Sequence, residues 1–165
     1  MPEKVLSVLT QTRFPADRLE VEVTEAALMN DIDAARVSLT SLQNLGVGIA
    51  LDNFGAGYSI LHHLDELRFD KLKIDRSYVA ALKRGGESAK LVDAILKLGV
   101  NLSVLTTAEG VETPESLDWL SSQGCSYGQG FLFGRPMPKR EVEGYIARFG
   151  HPVVRGGDAR GTIAS

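Results

Sequence analysis

Apolar spacing alternates along this chain between the helical period and the strand period, and that alternation limits what it can fold into. Leu19, Val21 and Val23 alternate with Glu20, Glu22 and Thr24, a period of two that predicts a strand over Leu19–Thr24. Ile32, Ala35, Leu39 and Leu42 then recur at helical spacing from about Asp31 to Leu45, and Gly46 supplies a stop. Val47–Leu51 is a nearly continuous apolar run, as expected of a strand covered on both faces. A short helix near Ser59–Leu67 and a strand over Lys71–Asp75 follow. The pattern repeats with a turn at Gly85–Gly86. A helix over Glu87–Asn101 comes next, with Leu91, Ile95 and Leu98 inward, and then a strand over Val104–Ala108. A helix capped by Thr113 with Pro114 at its first position carries Leu117 and Leu120 and stops at Gly124. A strand over Tyr127–Phe133 precedes a last helix from Pro138 that bears Val142, Tyr145, Ile146 and Phe149. With a short helix at Glu3–Gln11 in front, the order is one helix followed by five βα units.

Such an order means a parallel sheet with helices packed outside it, either an open doubly wound sheet or a (β/α) barrel. The chain has 165 residues, about one domain. No composition break divides residues 1–150, whereas residues 151–165, rich in glycine and small residues, read as a flexible tail. Hydrophobic residues make up 44% and charged residues 24%, which argues against long disorder. No apolar run nears the roughly 20 residues of a membrane helix, and Met1–Thr12 lacks signal-peptide order. A net charge of −3 without a dense basic stretch disfavours DNA or RNA as partner. With one cysteine, Cys125, no intrachain disulfide can form, and a cytoplasmic setting is expected. Cys125 itself reads as a small buried residue.

In parallel α/β folds, chemistry gathers at the C-terminal ends of strands. Polar residues stand at each predicted strand end: Glu22, Thr24 and Glu25; Asp52 and Asn53; Lys73 and Asp75; Glu109 and Glu112; and Gln129. Carboxylates crowded at one mouth repel unless a cation sits among them, and a hard divalent ion suits oxygen ligands. Pattern alone also allows plainer readings. Glu22 fits a solvated strand face, Asp52–Asn53 a turn, and Lys73 a surface pair with Asp70 or Asp75. Glu109 and Glu112 fit acids near a helix start. His62, His63 and His151 show no metal-ligand spacing and read as surface residues. Gly55-Ala56-Gly57 lacks the third glycine of a dinucleotide fingerprint, and no Gly-x-Ser-x-Gly elbow occurs.

Five segments follow in order: Glu22-Val23-Thr24-Glu25, Leu51-Asp52-Asn53-Phe54-Gly55-Ala56-Gly57-Tyr58-Ser59, Leu72-Lys73-Ile74-Asp75-Arg76-Ser77, Ala108-Glu109-Gly110-Val111-Glu112-Thr113 and Tyr127-Gly128-Gln129-Gly130-Phe131-Leu132-Phe133. Together they resemble the EAL domain, the bacterial phosphodiesterase domain for cyclic di-GMP. The resemblance runs from about Leu19 to Pro138. It implies a TIM-type barrel and hydrolysis of one phosphodiester to give linear pGpG, dependent on Mg²⁺ or Mn²⁺. By the same resemblance Glu22, Asp52 and Glu109 match metal-binding carboxylates. Asn53 stands where a second metal-binding Asp is usual. Lys73 matches the lysine that positions the attacking water, and Glu112 and Gln129 match residues that support the site's hydrogen bonds.

The chain also departs from the family. It contains no Glu-Ala-Leu tripeptide, whose Glu is a metal ligand, and an upstream Asn ligand is missing too. A TIM-type barrel typically needs ~250 residues, so an incomplete barrel of about five parallel strands, lacking the family's first strands, is expected. Ala56 replaces a usual Thr, Ile60 a usual Ser, and Ser103 a usual Gly. These departures imply a degenerate domain that does not hydrolyse cyclic di-GMP as the chain stands, acting by weak nucleotide binding or protein contacts. The alternative is a phosphodiesterase whose missing ligands come from a longer chain or a partner. A third reading is a partner-binding fragment that takes neither metal nor nucleotide. Open sheet edges imply a homodimer or a regulatory protein partner.

Overall fold

The computed structural model describes residues 1–55, 64–82 and 86–149. The elements run in chain order as α1 (Pro2–Thr12), β1 (Glu20–Thr24), α2 (Glu25–Asn30), α3 (Ile32–Asn44), β2 (Gly48–Phe54), α4 (Leu64–Leu67) and β3 (Lys71–Ile74). They continue as α5 (Arg76–Ala81), α6 (Glu87–Leu102), β4 (Leu105–Glu109), α7 (Pro114–Ser122), β5 (Tyr127–Gln129) and α8 (Lys139–Phe149). The five strands form one parallel sheet in sequence order, β1-β2-β3-β4-β5. This is the five-stranded α/β arrangement that the alternation predicts. The chain divides into two compact units, one from Met1 to Lys73 and one from Ile74 onward.

In the first unit, β1 pairs with β2 in parallel, with Glu22 opposite Ala50 and Thr24 opposite Asp52. The strand β2 carries Ile49, Ala50 and Leu51 with no exposed surface, as a strand covered on both faces should. Leu39 and Leu42 of α3 are buried, on the stripe that the sequence shows. The helix ends as its glycine requires. Gly46 has φ 87, its N–H bonds to Gln43 O at 2.8 Å, and Val47 N–H bonds to Leu42 O at 3.1 Å. That closure feeds directly into β2, which runs on to Phe54, past the expected end at Leu51. One short helix, α2, is absent from the sequence reading. Its six residues are too few to show a period, and it starts from the Thr24 cap, whose Oγ1 accepts from Ala27 N at 3.3 Å.

In the second unit, α5 is a similar six-residue helix, capped by Asp75. The inward face of α6 differs from the expected one. Val92, Ile95, Leu96 and Gly99 are buried, whereas Leu91 is 38% exposed. The stripe is turned by one residue because Gly99 lies against β4. A Cβ on Gly99 would stand 2.5 Å from Thr106 Cγ2 and 3.1 Å from Val104 O. The strand β5 is also shorter than the expected Tyr127–Phe133 run and ends at Gln129. At Gly130 the chain turns away, with Phe133 N–H bonded to Gly130 O at 3.1 Å. Cys125 is buried, as expected, and burial pushes its thiol pKa up. The short helix expected near Ser59–Leu67 is described only from Leu64, and the Gly85 part of the expected turn lies outside the described residues. The tail at 151–165, with His151, also lies outside them, as do His62 and His63. No helix among the described residues is long and apolar enough to cross a membrane.

Two substitutions check how α6 meets β4. Gly99→Ala gains about 1 kcal/mol of helix propensity but drives a methyl into Thr106. That side chain is β-branched, buried, and held by Ser126 N–H donating to its Oγ1 at 3.2 Å. Overpacking of about 1–3 kcal/mol wins, so Tm falls by several degrees; an unchanged or raised Tm would mean that Thr106 yields. Ser103, at φ 57, ends α6 in the left-handed region, with Val104 N–H bonded to Gly99 O at 2.8 Å. Ser103→Gly relieves that backbone and raises stability by about 1 kcal/mol, measured by urea unfolding against the exposed control Val100→Ala.

Candidate functional site

In the first unit the strand ends bring Glu22, Asp52 and Lys73 together. Lys73 is only 5% exposed. Its Nζ lies 2.6 Å from Glu22 Oε1 and 3.7 Å from Asp52 Oδ1. Asp70 and Asp75, the surface partners that pattern alone allows, each hold a backbone amide. Asp70 Oδ2 accepts from Ile49 N at 2.7 Å, and Asp75 Oδ1 accepts from Ser77 N at 2.8 Å to cap α5. The Ser77 hydroxyl, which also donates to Asp75, holds that carboxyl below its ordinary pKa. Glu22 is not a plain solvated residue either: its side chain is 47% exposed, yet one oxygen is committed to Lys73.

Asp52 carries the least satisfied acceptor of this group. Its Oδ1 is buried and accepts no hydrogen bond. Its Oδ2 accepts from Asn53 Nδ2 at 3.2 Å. Asn53 has φ 54, a left-handed backbone that Asn and Asp tolerate better than other side chains. The bend therefore suits either the amide present here or a carboxylate. Glu25, 5% exposed, accepts from Gly55 N at 2.7 Å. It fastens the start of α2 to the end of β2, and sequence reasoning assigned it no role. Its signal was an acid at the first position of a helix directly after a strand, which helix-dipole preference alone explains.

In the second unit, Glu109 pairs in register with Gln129 across β4 and β5. Glu109 is half-buried, whereas Glu112 and Gln129 are exposed. The two loops carrying them are stitched by Val111. Its N–H donates to Gln129 O at 3.0 Å, and its carbonyl accepts from Leu132 N at 3.1 Å. Gly130 permits this contact, since a Cβ there would sit 2.1 Å from Val111 O. Gly110, at φ 71, packs against Arg76, where an added Cβ would stand 2.7 Å from Arg76 Cβ. Thr113 caps α7, its Oγ1 accepting from Ser116 N at 3.4 Å. The predicted residues of this unit thus share one end of the β4–β5 pair on tightly built loops.

Among the described residues, no three His, Cys, Asp or Glu side chains stand together as a preformed metal group. The donor chemistry still fits a hard cation, because Asp52 Oδ1 is a buried anionic oxygen without a hydrogen-bond donor, beside a second carboxylate and an amide. Residues 56–63, next in sequence after Gly55, lie outside the described residues.

Comparison with known proteins identifies the family. A family profile described as the EAL domain matches residues 1–136. The bifunctional diguanylate cyclase/cyclic di-GMP phosphodiesterase MucR of Pseudomonas aeruginosa is 41% identical over 145 residues, 88% of this chain and 21% of its own length. The solved PaMucR phosphodiesterase, a c-di-GMP complex, superposes with TM-score 0.81 over 85% of this chain and 57% of that one, at 41% identity. The EAL domain of Mycobacterium smegmatis DcpA gives 0.83 at 37% identity, covering 89% of this chain and 66% of that one. A manganese/cy-diGMP complex of Klebsiella pneumoniae BlrP1 gives 0.75 at 35% identity, covering 81% and 34%. The curated relatives are much longer proteins, of which this chain spans 17–38%. The profile match, these identities and the TIM-type class of fold that the neighbours share lead to one conclusion: the chain belongs to the EAL domain family.

Proposed function

We propose that this chain is an EAL module of cyclic di-GMP signalling that binds the nucleotide weakly, or acts through protein contacts, and does not measurably hydrolyse it as it stands. The observation that carries this reading is the state of the strand-end acids. Glu22 is tied to Lys73, and Asn53 stands where the family resemblance expects a charged ligand. By that resemblance Glu22, Asp52, Asn53 and Glu109 would hold Mg²⁺ or Mn²⁺. A bound divalent cation supplies charge neutralisation at the phosphate and makes hydroxide available near neutral pH. Lys73, buried and already hydrogen-bonded to a carboxylate, would orient the attacking water. Glu112 and Gln129 would support the surrounding hydrogen bonds. An Asn amide oxygen can ligate but brings no charge, which weakens the metal and with it the reaction, by about 10²-fold or more.

A second reading is favoured by the 34–41% identity to proteins named as cyclic di-GMP phosphodiesterases. In it the chain hydrolyses the nucleotide to pGpG once further ligands come from a longer chain or a partner. The two readings separate in one assay. Incubated alone with cyclic di-GMP and Mn²⁺, the chain is expected to form no pGpG; steady formation that Glu109→Gln abolishes would overturn the first reading. Asn53→Asp restores a charged oxygen on a backbone that accepts it, so Mn²⁺ affinity should rise about tenfold. An unchanged affinity in calorimetry would remove Asn53 from the metal shell.

Self-association belongs to the same proposal. Among the described residues the outermost strands of the sheet are β1 and β5, each with a strand partner on one side. Leu6, Val8 and Phe14 are exposed near β1. Val5, Val8, Leu9 and Leu19 line an apolar groove of about 240 Å³ there. A two-fold dimer is the expected form. Light scattering coupled to size exclusion should report a mass near twice 17.8 kDa; a monomer across micromolar concentrations would contradict it.

A further inference from the structure

Resting on the metal reading above, we propose that Lys73 is an internal counter-cation, which competes with a divalent ion for Glu22 and Asp52. Two carboxylates that approach one another need a positive charge between them. Here that charge is the Lys73 ammonium, 2.6 Å from Glu22 Oε1 and 3.7 Å from Asp52 Oδ1. Lys73 emerges from β3 between buried neighbours, Leu72 and Ile74, and is itself buried. Taking so strongly hydrated a group out of water is tolerated only when anions receive it.

The geometry is lopsided in a telling way. Glu22 takes the short contact, whereas Asp52 Oδ1 sits beyond hydrogen-bonding reach of Lys73 and accepts no other donor. One ammonium faces two carboxylates, so a negative charge is left over and one strong acceptor stays unfilled. A divalent ion ligated by Asp52 and Glu22 would fill it, and the Lys73 ammonium on Glu22 Oε1 opposes that ligation by holding the carboxylate and repelling a second cation. On this account metal uptake is an exchange of one cation for another, and the Lys73–Glu22 contact sets its threshold. The released ammonium is then free to take a water or phosphate oxygen.

The test is the behaviour of Lys73→Met, close in length and without charge. In chelator, its Tm should fall below wild type, because Glu22 and Asp52 lose their counter-charge. Mn²⁺ should then bind about tenfold or more tightly than to wild type by calorimetry, and it should raise Tm more than it does in wild type. Equal or weaker Mn²⁺ binding by the variant would overturn the exchange while leaving the metal reading intact. Failure of both proteins to bind Mn²⁺ would overturn the metal reading and the exchange with it. Should the variant not fold, the wild-type chain decides. In a Mg²⁺ titration followed by NMR, the Lys73 ammonium nitrogen should shift together with the Asp52 amide. An Asp52 amide that moves while the Lys73 nitrogen stays fixed would overturn the exchange.

Discussion

A buried ammonium shared by two carboxylates determines much of what this chain can do. Lys73 is buried where Glu22 and Asp52 meet it, from strands that run in register beside one another. Burial of a lone lysine would push its proton off or unfold the strand. Paired, it pins the ends of strands whose other side chains are ordinary apolar core. Breaking such a pair by removing one member is strongly destabilising, about 3–5 kcal/mol for buried examples. Glu22 is half exposed, and solvent screening reduces its share of that figure.

The same ion group gives the strand-end acids a part in the fold. The acids at the ends of β1 and β2 serve the fold through Lys73 whether or not they serve a metal. Asn53 fits this ion group. Its left-handed backbone suits an amide as well as a carboxylate, and its Nδ2 donates to Asp52. In the second unit, by contrast, Glu109 and Gln129 end β4 and β5, and with Glu112 they adjoin loops locked by Val111 and two close-approach glycines, Gly110 and Gly130.

Much of the fold was legible in the sequence, because long elements declare their period. The strand β1, the helix α3 with its Gly46 stop, and α7 with its Thr113 cap all lie within a residue or two of where spacing puts them. What escaped has physical causes. Helices of six residues, α2 and α5, are too short to show a period. The inward face of α6 was set by a glycine fitting against Thr106, a tertiary contact that no hydrophobic count includes. The end of β5 was set by Val111 reaching across from another loop. At the site, strand-end position picked out Glu22, Asp52 and Lys73, but the pairing that unites them was not legible. Spacing offered Asp70 and Asp75 as nearer partners for Lys73, whereas in the structure these acids accept from the backbone amides of Ile49 and Ser77.

The account's central claim is that a weakened metal site still draws cyclic di-GMP without cutting it. Calorimetric titration of the chain with cyclic di-GMP, run with Mg²⁺ and again in chelator, tests this most directly. Weak binding that strengthens with Mg²⁺, with the nucleotide recovered uncut, is the predicted result. Absence of binding in both conditions, or binding indifferent to Mg²⁺, would contradict it.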